Sequence, residues 1–173
     1  MKRKRWNCVA DRVKPGAVGA EVGVFDGGMS KALFNLIHGL RLFMVDRWQV
    51  YGPVEVAGDP DARMPRLTRR EWKRIEARAR AVAGAHAGAT IIKGDSVEAA
   101  ATIADHSLDF VFIDGDHSYD GCRRDISAWR PKVRTGGWLM GHDYTIRPGV
   151  RRAVDELGVV VELDADKVWA VRI

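Results

Sequence analysis

Ala17-Val18-Gly19-Ala20-Glu21-Val22-Gly23-Val24-Phe25-Asp26-Gly27-Gly28 begins as an apolar run of strand length and closes on a glycine turn. The turn leads straight into Met29 to Leu40, whose pattern is helical. A buried strand, a tight turn and a helix make the opening unit of an α/β fold. Outward from it the same alternation repeats. Arg41 to Asp46, Thr90 to Lys93, Leu108 to Asp114 and Gly137 to His142 read as four more strands, and Tyr119 to Trp129 as a helix ending before Pro131. A helix from Val150 to Leu157 precedes two short runs, Val159 to Leu163 and Val168 to Ile173. Nearly continuous hydrophobic strands between helices predict a parallel sheet covered on both faces. Only Asp164-Ala165-Asp166-Lys167 joins the last two runs, too little for a crossover helix, so they should pair antiparallel. The expectation is a three-layer α/β sandwich with a mostly parallel seven-stranded sheet and an antiparallel last strand.

With 173 residues the chain suits one domain, residues 1–173, with a substantial core. Its 46% hydrophobic and 29% charged residues exclude a disordered chain. No stretch approaches the roughly 20 apolar residues of a membrane helix, so no membrane partner is expected. Met1 to Trp6 has the charge of a signal peptide, but Asn7, Asp11, Arg12 and Lys14 replace its apolar core. Two distant cysteines, Cys8 and Cys122, give no disulfide framework, and the cytoplasm is the expected compartment. The net charge of +5 gathers in a short basic arm within residues 1–16 and in the segment Arg66 to Arg80. There Trp72, Ile75 and Ala79 recur at helical spacing, leaving Arg70, Lys73, Arg74 and Arg78 on an outer face, either solvated or docked on an anion such as nucleic acid. Residues 49–66, rich in proline and glycine, interrupt the rhythm after the second strand and read as a lid over a ligand or as a mobile insertion.

Function in an open α/β sheet gathers at the carboxyl ends of the strands, and four ends here carry acids. The Gly23 and Gly27 turn lets backbone N–H groups approach a ligand at a helix N-terminus, although Phe25 stands where a dinucleotide fingerprint has its second glycine. Asp46, roughly 20 residues past the turn, is placed to accept both hydroxyls of a ribose. Asp95 can accept from an exocyclic amine or cap the helix that starts at Ser96, with Glu98 in capping-box spacing. Asp114-Gly115-Asp116-His117 and Gly141-His142-Asp143-Tyr144 put carboxylates and imidazoles on adjacent strand ends, a divalent-metal pattern or a hydrogen-bonded support for loops. His117, with an ordinary pKa near 6.5, is the candidate general base.

The ordered set of Glu21 to Gly28, Asp46, Gly94-Asp95-Ser96, Ile113 to Asp120 and Gly136 to Tyr144 resembles the class I S-adenosylmethionine-dependent methyltransferases. It is most similar to the small group of macrocin-type O-methyltransferases and the cephalosporin hydroxylase family. The resemblance implies a Rossmann-like sheet and S-adenosylmethionine as cofactor. By position, Glu21, Gly23 and Gly27 would hold its methionine part and Asp46 the ribose, Asp95 and Ser96 would flank the adenine, and Phe25, Arg47 and Asp114 would also be cofactor-binding. It also implies a metal, Mg2+ or another divalent ion, on Asp114, His142 and Asp143. Histidine in that set is softer than carboxylate and shifts preference toward manganese, iron or zinc. His117 and His142 would be catalytic.

The expected reaction is methylation of a hydroxylated small molecule, such as a sugar or a phenol. Two other readings use the same residues. His117, His142 and an aspartate could form a two-histidine, one-carboxylate iron site. The basic arm and helix could bring RNA, although the proline motif of base amino-methylating enzymes is missing from Asp114-Gly115-Asp116-His117. Exposed tryptophans among the 6 would mark a homodimer surface.

Overall fold

A computed structural model describes residues 3–49 and 67–173. Residues 49–66, apart from Gln49, lie outside it, and the lid reading with them. The elements in chain order are α1 (Arg5–Ala10), β1 (Val18–Val22), α2 (Gly28–Leu36), β2 (Arg41–Asp46), α3 (Arg69–Gly84), β3 (Ala89–Lys93), α4 (Ser96–Ala101), β4 (Leu108–Ile113), α5 (Tyr119–Trp129), β5 (Val133–Gly141), α6 (Pro148–Asp155), β6 (Glu162–Leu163) and β7 (Trp169–Arg172). The 7-stranded sheet runs β3-β2-β1-β4-β5-β7-β6. Strands β1 to β5 are parallel, and β7 is antiparallel to both β5 and β6. The expected architecture holds, including the terminal antiparallel pair.

Side-chain alternation along β4 explains the layers. Phe110 and Phe112 pack toward α1, α2 and α3, while Val111 and Ile113 pack toward α4, α5 and α6. Helix α3 follows its sequence pattern closely: Trp72, Ile75 and Ala79 are buried, and Arg70, Lys73, Arg74 and Arg78 are exposed. Thr68 caps it, its backbone N–H donating to Glu71 Oε2 at 2.7 Å while Glu71 N–H donates back to Thr68 Oγ1 at 3.3 Å.

Three expectations shift. The strand expected at Gly137 begins at Val133, because the ladder to β4 already pairs Leu108 with Val133 before a register shift. The run expected from Val159 contributes only Glu162–Leu163, with Val160 fully outside the core at 88% exposure. The tryptophans mark no dimer surface: Trp48, Trp72, Trp129, Trp138 and Trp169 are buried and Trp6 is half-buried. The arm is not loose either. Residues Arg5–Ala10 form a short helix whose Cys8 and Val9 are completely buried. Both cysteines are free, and no described helix is long and apolar enough to cross a membrane.

Candidate functional site

Register brings the acidic strand ends together. Val22 pairs with Val45 on one side and Ile113 on the other, Asp46 pairs with Lys93, and Ile113 pairs with Gly141. Beyond the ladders, Gly23 N–H donates to the Val45 carbonyl, Gly94 N–H to the Asp46 carbonyl, Asp114 N–H to the Val22 carbonyl and His142 N–H to the Ile113 carbonyl. The topological switch lies between β1 and β4, where open sheets bind ligands.

A cleft of about 500 Å³, counted to its open mouth, is lined there by Gly23, Asp46, Arg47, Asp95, Ser96 and Arg124, among others. Five residues expected around a cofactor therefore share one wall: Gly23, Asp46, Arg47, Asp95 and Ser96. Glu21, Phe25, Gly27 and Asp114 are not on it. Two cleft residues escaped the sequence reading. Arg124 and the buried Asp125, whose burial pushes its carboxyl up to about 6 against the Ser96 hydrogen bond, both come from α5. The Arg-Arg-Asp run in the middle of a helix gives no sequence signal for either.

Asp46 is held rigidly. Its Oδ2 accepts from Phe25 N–H and its Oδ1 from Trp48 N–H, each at 2.8 Å. The backbone N–H groups of Arg47 and Val24 also bear on this carboxylate. Burial raises the Asp46 carboxyl above its usual range, opposed by those backbone bonds. Asp95 takes the capping role, its Oδ1 accepting from Val97 and Glu98 N–H at the start of α4, and it also lines the cleft. Ser96 Oγ accepts from the Trp129 indole at 2.8 Å.

The turn after β1 explains the rest. Gly23 has φ +91°, and a Cβ there would lie 2.2 Å from the Asp114 carbonyl oxygen, so only glycine fits. Gly23→Ala should destabilise the fold by on the order of 2–5 kcal/mol, from left-handed backbone plus overpacking. Thermal unfolding checks this; a midpoint equal to the parent's contradicts it. Phe25, at the missing glycine, adopts φ 54° all the same. Its ring meets Trp72 edge-on at 6.1 Å, and its carbonyl accepts from the Trp48 indole at 2.7 Å. Phe25 thus closes the turn against α3 rather than facing the cleft. Gly27 caps α2 at φ 82° and packs on Ala79.

Glu21 is 2% exposed and accepts from Ser30 Oγ at 2.6 Å. Burial pushes its carboxyl up to about 8, the Ser30 bond opposing and the Asp114 and Asp46 charges adding. Stability from neutral Glu21 is full below the unfolded value of 4.5 and is lost as pH rises toward about 8. Glu21→Gln should therefore remove part of the stability loss between roughly pH 5 and 8. At the alkaline end the variant should melt higher, by roughly 2–4 °C per kcal/mol recovered. Parallel pH dependences of the two melting curves contradict this.

Beside the cleft, Asp114, His117, His142 and Asp143 form one cluster. Asp143 adopts φ 66° just after β5, and its Oδ1 lies 2.9 Å from His142 Nδ1. His117 Nε2 lies 3.5 Å from both Asp114 Oδ1 and Asp143 Oδ2. Arg5 Nη1 reaches Asp114 Oδ2 at 2.6 Å, a contact that the basic run Lys2-Arg3-Lys4-Arg5 does not announce. Burial alone would lower the imidazole pKa values. Hydrogen bonds to the carboxylates outweigh it, raising His117 and pushing His142 up to about 9. Burial is likewise outweighed at Asp114, held down to about 2 by His117, His142 and Arg5. Flanking carboxylates thus make His117 a stronger base than a free imidazole, one that holds its proton longer.

Among the described residues, the donor atoms that lie within 4.8 Å of one another belong to Asp114, His117 and Asp143. The imidazole in this set is His117, not the expected His142, whose Nδ1 already faces Asp143. Two carboxylates with one imidazole also differ from a two-histidine iron site. His142 Nε2 is buried without a hydrogen-bond partner among the described residues.

A family model described as a methyltransferase domain matches residues 20–144, well over half of the chain. No curated protein matches. Among solved structures, the O-methyltransferase NovP superposes with a TM-score of 0.71 at 18% identity, over 97% of this chain and 78% of its own. Cofactor-bound Rv0187 from MTB gives 0.65 at 14% identity, over 97% and 77%. The calicheamicin methyltransferase CalS11 gives 0.63 at 14% identity, over 96% and 75%. At such identities the likeness is one of fold alone; in this chain the cleft opens at the carboxyl edge of the sheet. With the family match spanning that same edge, the chain belongs to the class I S-adenosylmethionine-dependent methyltransferases.

Proposed function

We propose that the protein methylates a hydroxyl oxygen of a small molecule held between the cleft and the Asp114 cluster. The observation that carries this reading is His142 Nε2, a buried donor beside the cluster with no partner among the described residues. A buried N–H without an acceptor calls for an oxygen from elsewhere. The cleft suits the cofactor's nucleoside. Gly94 lies on its wall, where a Cβ would meet nothing within 4 Å, and the Asp46 carboxylate lines the same wall.

Bound S-adenosylmethionine supplies a methyl group on a sulfonium centre. Asp46 holds the ribose and, with Gly23, Arg47, Asp95 and Ser96, fixes where that methyl lies. His142 donates through Nε2 to the acceptor oxygen, stabilising charge that develops there. His117 takes the acceptor's proton, and Asp114 and Asp143, which face its Nε2, stabilise the imidazolium that results. Holding acceptor and methyl in line accounts for up to roughly 7–11 kcal/mol of barrier lowering. Asp114, His117 and Asp143 also fit a divalent cation by donor chemistry, manganese, iron or zinc more readily than magnesium; there it would act as a Lewis acid on the hydroxyl.

Because His117 is raised, its base form accumulates at higher pH than that of a free imidazole, and the transfer rate should climb with pH over a range displaced upward accordingly. The test is methyl transfer from labelled cofactor to a panel of sugars, phenols, amines and RNA. Oxygen-linked methyl on a small hydroxylated acceptor, with an alkaline-rising rate, supports the proposal. Transfer only to RNA or to nitrogen overturns it. The RNA reading keeps the exposed face of α3. In the arm, Arg3 and Arg12 pair with Asp164 and Arg5 with Asp114.

A further inference from the structure

Helix α1 lies outside residues 20–144, which match the family, yet it reaches the centre of the site. Its anchorage is extensive. Cys8 and Val9 are buried, and Arg12 pairs with Asp164 at 2.6 Å and Glu162 at 3.0 Å. The Arg5 N–H donates to Asp166 Oδ2 at 3.2 Å. From this clamped start the Arg5 guanidinium places Nη1 2.6 Å from Asp114 Oδ2 and 3.5 Å from His142 Nδ1. A residue so delivered is not a wandering surface charge. At the other carboxylate, Arg147 Nε stands 3.9 Å from Asp143 Oδ2. Each carboxylate of the donor set therefore faces a cation that belongs to the chain.

We propose that Arg5 is the built-in counter-ion of this site, and that its guanidinium and a divalent metal ion compete for Asp114. The inference rests on the reading of Asp114, His117 and Asp143 as a cation-holding centre. One carboxylate flanked by a guanidinium attracts a second cation far less than a free one, because like charges repel across it. With Arg5 seated, the positive charge beside the acceptor oxygen comes from the protein. With Arg5 withdrawn, Asp114 offers both oxygens to a metal. The arm thus sets whether the centre is metal-loaded.

Manganese alone, titrated into the full chain at low ionic strength and followed by the electron paramagnetic resonance of the free ion, tests this without any turnover. Arg5→Met and Arg5→Gln, which keep the backbone contact to Asp166 and remove the charge, should each bind manganese at least about tenfold more tightly than the parent. Adding Asp114→Asn to either should abolish the gain. Affinity unchanged in both single variants, or a gain that survives Asp114→Asn, overturns the proposal. Should one variant lose its fold by thermal unfolding, the other still decides. S-adenosylhomocysteine binding, measured on the same proteins by calorimetry, keeps the two ideas apart. Its loss from the parent would remove the cofactor reading, whereas the manganese comparison speaks only to Arg5.

Discussion

Asp46→Asn is expected to weaken S-adenosylmethionine binding on the order of 10²-fold, with little change in melting temperature. The carboxylate accepts backbone N–H groups of Phe25 and Trp48 on separate oxygens and lines the cleft. An asparagine must turn its NH2 toward one of those donors, which loses that bond and presents a donor where a ribose hydroxyl needs an acceptor. A hydrogen bond to a charged group is worth roughly 1.5–3 kcal/mol, and one such bond with a repulsive contact accounts for the expected loss. Stability suffers less, because burial already disfavours the charged form and the neutral amide avoids that cost. Calorimetry on parent and variant checks the ratio. A change under threefold would take Asp46 out of the cofactor site.

Asp114→Asn should cut methyl transfer by about 10²–10³-fold while cofactor affinity changes less than tenfold. Asp114 holds Arg5 at 2.6 Å and lies within 3.5 and 3.6 Å of His117 and His142, but it is not on the cleft wall. Without its charge both imidazoles lose the partner that raises them, so their pKa values fall. The rising limb of the pH–rate profile should then move to lower pH even as the maximum drops. A merely structural role for Asp114 would reduce the rate without moving the limb. That shift is the outcome to look for; a limb that stays in place contradicts the assignment of base and partner.

Much of this was legible in the residues. Strands recognisable as β-branched runs fixed which acids stand at carboxyl ends, and the parallel register then had to bring Asp46, Asp95 and Asp114 to one edge. The short Asp164 to Lys167 connection foretold the antiparallel pair of β6 and β7. Other features depend on contacts too distant in sequence to read. Arg5 looks like one charge among several, and only the seating of Cys8 and Val9 in the core turns it inward. The protonation of His117 and His142 depends on burial and on two carboxylates from different strands. Phe25 interrupts the glycine pattern, yet its backbone takes the left-handed form that glycine would, because Trp48 and Trp72 secure it. Ordinary turn statistics give no hint of that rescue.

A crystal structure with bound S-adenosylhomocysteine tests most directly whether these strand ends surround one nucleoside. Ribose hydroxyls are expected on the Asp46 carboxylate, the adenine edge against Asp95 and Ser96, and the sulfur turned toward Asp114. A ligand seated elsewhere, with Asp46 and Asp114 facing separate surfaces, would contradict this placement.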